Sequence, residues 1–199
     1  MIKSNEDAIV VLGEAMGYLA LAESEFDTAY NKIEDVLDWL RGGKPPFEDI
    51  SAKLLQHPEK RYNLRSLDSI KQIVIHHVGI DAPVTPAATA SYHVRTRGWP
   101  GIAYHFFIRM DGTAYQTQPL NVVSYHCGGQ CNVISIGICL EGSFMEREPS
   151  QKQLGATKEV IDWLLDDFDL KVLGHKEVEG TSTACPGNTW DDWKEKIMP

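Results

Sequence analysis

The stretch IVIHHV, residues 73–78, is a β-branched apolar run that ends in two histidines. It reads as a buried strand presenting its last residues to a site. Successive strand side chains point to opposite faces, so only one of His76 and His77 can share a centre on a given side of the sheet. The pattern alone does not choose between them. Further along, LGHKEVEGTSTACPGN, residues 173–188, sets His175 and Cys185 ten residues apart in a Gly/Thr-rich loop, with Pro186 and Gly187 fixing the turn behind the cysteine. Imidazole nitrogen and thiolate sulfur are the ligand mix that suits zinc. Without a third ligand, the same loop reads as surface chain holding one free thiol and one titrating histidine. The strand's histidine pair supplies the candidate third ligand.

Outward from these two stretches, four strands are expected, at 72–77, 102–109, 113–118 and 134–141, with Asp111-Gly112 as a hairpin turn between the second and third. A short helix is expected over 88–98. A longer one spans 150–168, with Leu154, Val160, Ile161, Leu164 and Leu165 as its apolar stripe and Ser150 available as N-cap. A last short helix starts near Trp190 and carries Trp193 and Ile197 inward. Strands gathered with helices on their faces predict an α/β fold with a single mixed sheet.

At 199 residues and 43% apolar content, the chain can bury a full core, with room for one domain and an appendage. Its net charge of −9 argues against a nucleic-acid surface, which needs clustered Lys and Arg. Four cysteines in this length are not a disulfide scaffold, and the start MIKSNEDAIV is acidic rather than a basic leader. A cytoplasmic product with reduced thiols is therefore expected.

The apolar run over residues 8–22 is too short for a membrane span and is interrupted by Glu14, so no stable membrane insertion is expected. From Ile9 to Leu40 the apolar positions step by three and four with one lapse at Glu23, as a helical heptad seam does. Unbroken, such a helix would run on the order of 50 Å. It is read either as a helical hairpin bending near Ser24 or as a coiled-coil homodimer through residues 9–40. Residues 1–41 thus form an N-terminal helical segment, 42–69 a connector and 70–199 the main domain. The connector's Phe47, Ile50, Leu54 and Leu55 are too apolar for a free tether, so it should pack over the domain.

IVIHH (73–77), RGWPGIAYHFFIRMDGTAYQT (97–117), SIGICLEG (135–142), GHKEV (174–178) and TACPG (183–187) stand in one order and at a characteristic spacing. In this the chain resembles the zinc-dependent N-acetylmuramoyl-L-alanine amidases, the type-2 amidase family that includes phage endolysins and peptidoglycan recognition proteins. The resemblance covers roughly residues 70–199. It implies one zinc ion per chain held by His76, His175 and Cys185, with Tyr104 as the family's tyrosine. Three protein ligands leave a position for water, whose pKa falls to about 7, and Tyr104 can donate to the oxyanion that forms on an attacked carbonyl. Thr183 is the second candidate for that oxyanion or for orienting water. Some relatives carry lysine there, which leaves the proton donor to the leaving amine open.

His126 falls where relatives keep a histidine beside the substrate groove and is expected to contact substrate. Glu141 is a weaker acid/base candidate, since the family's residue lies nearer Cys139. His93, His105, Arg97 and Trp99 are read as structural and Cys139 as core. Cys127 and Cys131 have C-x3-C spacing with no second pair, so free thiols or a local bridge is expected rather than a metal site.

The implied reaction is cleavage of the amide between N-acetylmuramic acid and L-alanine, with peptidoglycan or a muropeptide as partner. Two alternatives stand beside it. One is a module that binds peptidoglycan without cutting it, although such relatives typically lack the zinc cysteine. The other is a thiol amidase with Cys185 as nucleophile and His175 as base. Made without a leader, the product would act on the wall after release, or on cytosolic wall fragments.

Overall fold

A computed structural model describes residues 45–199. The expected N-terminal helical extension, its heptad seam and its homodimer surface lie outside the described residues. Among the described residues no helix is long and apolar enough to cross a membrane.

The strand at the centre of the sequence reading forms where expected. β2, Gln72–His77, is flanked by two parallel neighbours, β5 at Ser135–Leu140 and β6 at Lys171–Gly174. β3 (Phe106–Ile108) runs parallel to β5 and antiparallel to β4 (Ala114–Gln116), and β4 carries a two-residue edge strand, β1 (Glu48–Asp49). The sheet is therefore mixed, in the order β1-β4-β3-β5-β2-β6. β5 is buried along its whole length, as a strand covered on both faces should be.

The helices are α1 at Pro86–Arg95, α2 at Gly129–Ile134, α3 at Gln151–Asp167 and α4 at Trp190–Trp193. Ser150 caps α3 and forms a reciprocal capping box with Gln153, so two orphan N–H groups are satisfied by residues three apart in sequence. α1 begins two residues earlier than the expected 88, because Thr85 accepts from Ala88 N at 3.1 Å and Pro86 suits the first helical turn. On one face of the sheet Ile73, Ile75, Phe106, Ile138 and Leu140 pack against Leu154, Ile161 and Leu164 of α3 and against Trp190 and Trp193. The other face buries Phe107 and Cys139 with Ala90 of α1 and with Ile102 and Leu54. As expected, Trp193 and Ile197 are fully buried and Cys139 is core.

Two strands are shorter than their apolar runs. Over 101–104 the backbone leaves the ladder, where Tyr62 Oη and Gln118 Nε2 donate to the Ile102 carbonyl and Tyr62 also to Gly101, while His105 still donates to Gly137 O and its carbonyl is shared by Thr117 N and Gln118 N. The turn between β3 and β4 is the expected one, with Gly112 at φ 90° and Arg109 N donating to Thr113 O at 2.8 Å. β6, β1 and α2 were absent from the sequence reading. KVLG is only four residues long, and α2 has no side-chain cap, so each depends on the sheet beside it.

The connector packs as irregular chain over the domain. Arg65 pins it by donating to the carbonyls of Leu120, Asn132, Val133 and Ser135. Cys127 and Cys131 are joined in a disulfide, the local bridge that was one of the two readings of their spacing, and the expectation of reduced thiols is corrected for this pair. Their spacing around the start of α2 brings the two Cα atoms to 5.8 Å, within bridging range.

Candidate metal centre

The register of β2 and β6 decides which groups meet. Ile75 pairs with Gly174, so His76 and His175 are the next residues on two parallel neighbours, and their rings stand 4.6 Å apart between centroids. Cys185 arrives from the following loop. Lys176 N donates to Cys185 O at 2.7 Å and Lys176 Nζ to Gly187 O at 2.9 Å, tying that loop to the His175 turn. Gly187 lies at φ 132°, and a Cβ there would sit 2.1 Å from Phe144 O, so only glycine lets the loop close against that backbone.

The result is a cluster in which one ligand atom each from His76, His175 and Cys185 lies within 4.8 Å of the others. His76 Nδ1 is 3.7 Å from Cys185 Sγ, which also accepts from His77 N at 3.4 Å. The ambiguity between the paired histidines is thereby settled. His77 turns to the opposite face, where its Nδ1 accepts from Phe144 N at 3.2 Å.

Burial holds His76 well below its ordinary 6.5, lowers His175, and pushes the Cys185 thiol up to about 11. The imidazoles are thus neutral, with lone pairs to offer, and the thiol keeps its proton until a cation displaces it. Two nitrogens and one sulfur converging from a sheet edge and a braced loop fit a borderline-soft divalent metal.

Tyr104 stands beside this cluster, its ring 5.4 Å from that of His76. It is partly buried against Cys139 and Phe107, and burial raises its hydroxyl well above the usual range, keeping the proton available for donation. Next to it an apolar cavity of about 350 Å³ runs along α1, lined by Val78, Val84, Ala88, Thr89 and His93, with half-exposed Ile80 and Tyr92 at its mouth.

The remaining candidates are placed differently. Thr183 is exposed, and its hydroxyl accepts from Cys185 N at 3.1 Å, bracing the ligand loop. Glu141 is buried with its carboxylate saturated by Arg109 Nε at 2.6 Å, Met110 N at 2.9 Å and Val84 N at 2.6 Å, which leaves it structural. His93 accepts from Ala103 N and His105 from Gly137 N, both as packing residues. Trp99 packs on His93 with Arg97 over its ring.

His126, expected to contact substrate, sits behind His76. Its ring is buried, and its Nδ1 lies 2.9 Å from His76 Nε2. No local signal marks that pairing, because the partner is 50 residues away.

Comparison with known proteins agrees with this geometry. The pattern of the N-acetylmuramoyl-L-alanine amidase family matches residues 66–188. Peptidoglycan recognition protein 1 of Bos indicus is 30% identical over 132 residues, covering 60% of this chain and 67% of that protein. The endolysin N-acetylmuramoyl-L-alanine amidase LysCS from Clostridium intestinale is similar in structure, with a TM-score of 0.60 and 32% identity over 72% of this chain and 94% of its own. The Ph2119 endolysin from a Thermus scotoductus bacteriophage has a TM-score of 0.66 and 26% identity over 77% of this chain and 99% of its own. With the ordered motifs, the mixed sheet and the His, His, Cys cluster in place, the chain belongs to the N-acetylmuramoyl-L-alanine amidase family.

Proposed function

We propose that this chain hydrolyses the amide bond between N-acetylmuramic acid and the L-alanine of the stem peptide, using one zinc ion held by His76, His175 and Cys185. The observation that carries the reading is the convergence of those three ligand atoms within 4.8 Å at the ends of β2 and β6. Bound zinc supplies Lewis acidity, polarising a carbonyl and lowering the pKa of water to about 7. In this reading Tyr104, whose ring lies 5.4 Å from that of His76 and whose hydroxyl burial keeps protonated, donates to the oxygen on which charge develops. The cavity along α1 takes the apolar part of the stem peptide, and burial of His76 and Tyr104 keeps the reacting end poorly hydrated.

A thiol mechanism is less well supported. The imidazole nitrogen within hydrogen-bond reach of Cys185 Sγ is His76 Nδ1 at 3.7 Å, not one of the expected partner His175, and burial pushes the thiol up to about 11, away from the thiolate a nucleophile needs.

Digestion of purified peptidoglycan tests the reading, scoring new amino termini against new reducing ends with chelator and with zinc restored. The expected result is new L-alanine amino termini that vanish with chelator and return with zinc. Binding without new termini would move the chain to a recognition module, and release that resists chelator would favour the thiol.

A further inference from the structure

We infer that His126 is a positioning residue for the metal site, fixing the tautomer and the angle of His76. The inference rests on the reading of His76, His175 and Cys185 as ligands and extends it to a residue outside the ligand set.

The two nitrogens of His76 have different surroundings. Nδ1 faces Cys185 Sγ, and Nε2 lies 2.9 Å from His126 Nδ1. Two ring nitrogens at that distance share one proton. If His76 Nδ1 gives its lone pair to a metal, Nε2 must carry the proton and donate it to His126 Nδ1. His126 is then protonated on Nε2, which faces the Ser135 carbonyl at 3.4 Å. The Ser135 hydroxyl also lies 3.4 Å from His126 Nε2, but its own proton goes to the Cys131 carbonyl, so both Ser135 oxygens accept there and a metal on His76 Nδ1 leaves one tautomer for each ring.

The fold is shaped to hold His126 in that place. Its ring lies on Gly137 of β5, where a Cβ would stand 2.7 Å from His126 Cγ, so the strand leaves room for the imidazole. The chain after it is closed on itself by the Cys127–Cys131 disulfide and by Asn132 Oδ1, which accepts from Cys127 N and Gly128 N, both at 2.9 Å. His126 is buried, so this bond is shielded from water. Partners of this kind raise ligand basicity and limit ring rotation, and their loss weakens metal binding by about 10–100-fold.

The test is zinc affinity, measured by competition with a chromogenic chelator, in wild type, His126→Leu and His126→Asn, with melting of the zinc-free proteins as a fold control. Leucine fills the volume without an acceptor, and asparagine returns an acceptor near the Nδ1 position. We expect His126→Leu to bind zinc about 10–100-fold more weakly, with His126→Asn recovering most of the loss. Equal affinity of His126→Leu and wild type overturns the inference, as does an equal loss in both variants, which would assign the effect to packing. A readout independent of any variant is the nitrogen-15 spectrum of zinc-loaded wild type. It should show His76 metal-bound at Nδ1 and protonated at Nε2, and the reverse tautomer overturns the inference. Wild-type protein that takes up no zinc overturns the metal reading and this inference together, whereas zinc uptake indifferent to His126 overturns this inference alone.

Discussion

On the proposed mechanism, Tyr104 is the residue at which metal binding and turnover separate. It contributes no ligand atom to the His76, His175, Cys185 cluster, yet its ring is 5.4 Å from His76 and its hydroxyl is held protonated by burial. Tyr104→Phe should therefore keep zinc affinity within a few-fold and lower kcat by about 10²–10³, the usual cost of one oxyanion donor. Steady-state release of amino termini checks this, and unchanged kcat would pass the role to another donor. At this scale the sequence was informative about residue types and less so about partners. His175 and Cys185 are legible because they share one short loop. The choice of His76 over His77, and the pairing of His76 with His126, depend on which face of β2 each ring takes and on contacts across 50 residues.

The elements differ in how locally they are encoded. β2 carries its own β-branched pattern, and α3 carries a stripe and a capping box within its first turn, so both stand where the sequence puts them. β6 is four residues whose strand state comes from pairing with β2, and the run over 102–109 is a strand only in its second half, since at its start side chains from Tyr62 and Gln118 take the Ile102 carbonyl. The loop that brings in Cys185 is tested by Gly187→Ala. An added Cβ meets Phe144 backbone at 2.1 Å and the position is at φ 132°, so the loop must move. Such a change should lower the melting temperature, by about 2–4 °C for each kcal/mol lost in a domain of this size. It should also weaken zinc binding, since Cys185 is two residues away. Thermal melting and chelator competition on the same preparation report both effects, and retention of wild-type values in both would show that the Phe144 segment yields.

For the whole molecule, acid is the condition that reads the buried histidines together. Burial lowers His93 to about 4 and His105 to about 3, with Arg97 and Arg65 respectively adding to the effect. Each accepts a backbone N–H on Nδ1 and so must stay unprotonated there. The unfolded chain has ordinary histidines near 6.5 and binds protons first as pH falls. Stability is therefore whole above about pH 6.5 and declines from there toward pH 4 and, for His105, toward pH 3. Each pKa unit of difference is worth about 1.4 kcal/mol. Urea unfolding of zinc-free protein should show the loss between pH 7 and pH 4, and a flat profile there would contradict it.

The sequence alone determined the strand at 72–77, the capped helix after Ser150, the turn at Asp111-Gly112 and the types of the three ligand groups. Those features are written in residues within one strand, one turn or one loop of each other, where periodicity, capping and donor chemistry act. The tertiary structure decided that His76 rather than His77 joins the cluster, that Cys127 and Cys131 are bridged, that Glu141 is saturated and that His126 stands behind His76. Each of these turns on strand register and on contacts between residues that local patterns leave unconnected. The physical reason is that a period of two says which residues share a face, but only packing says what that face meets.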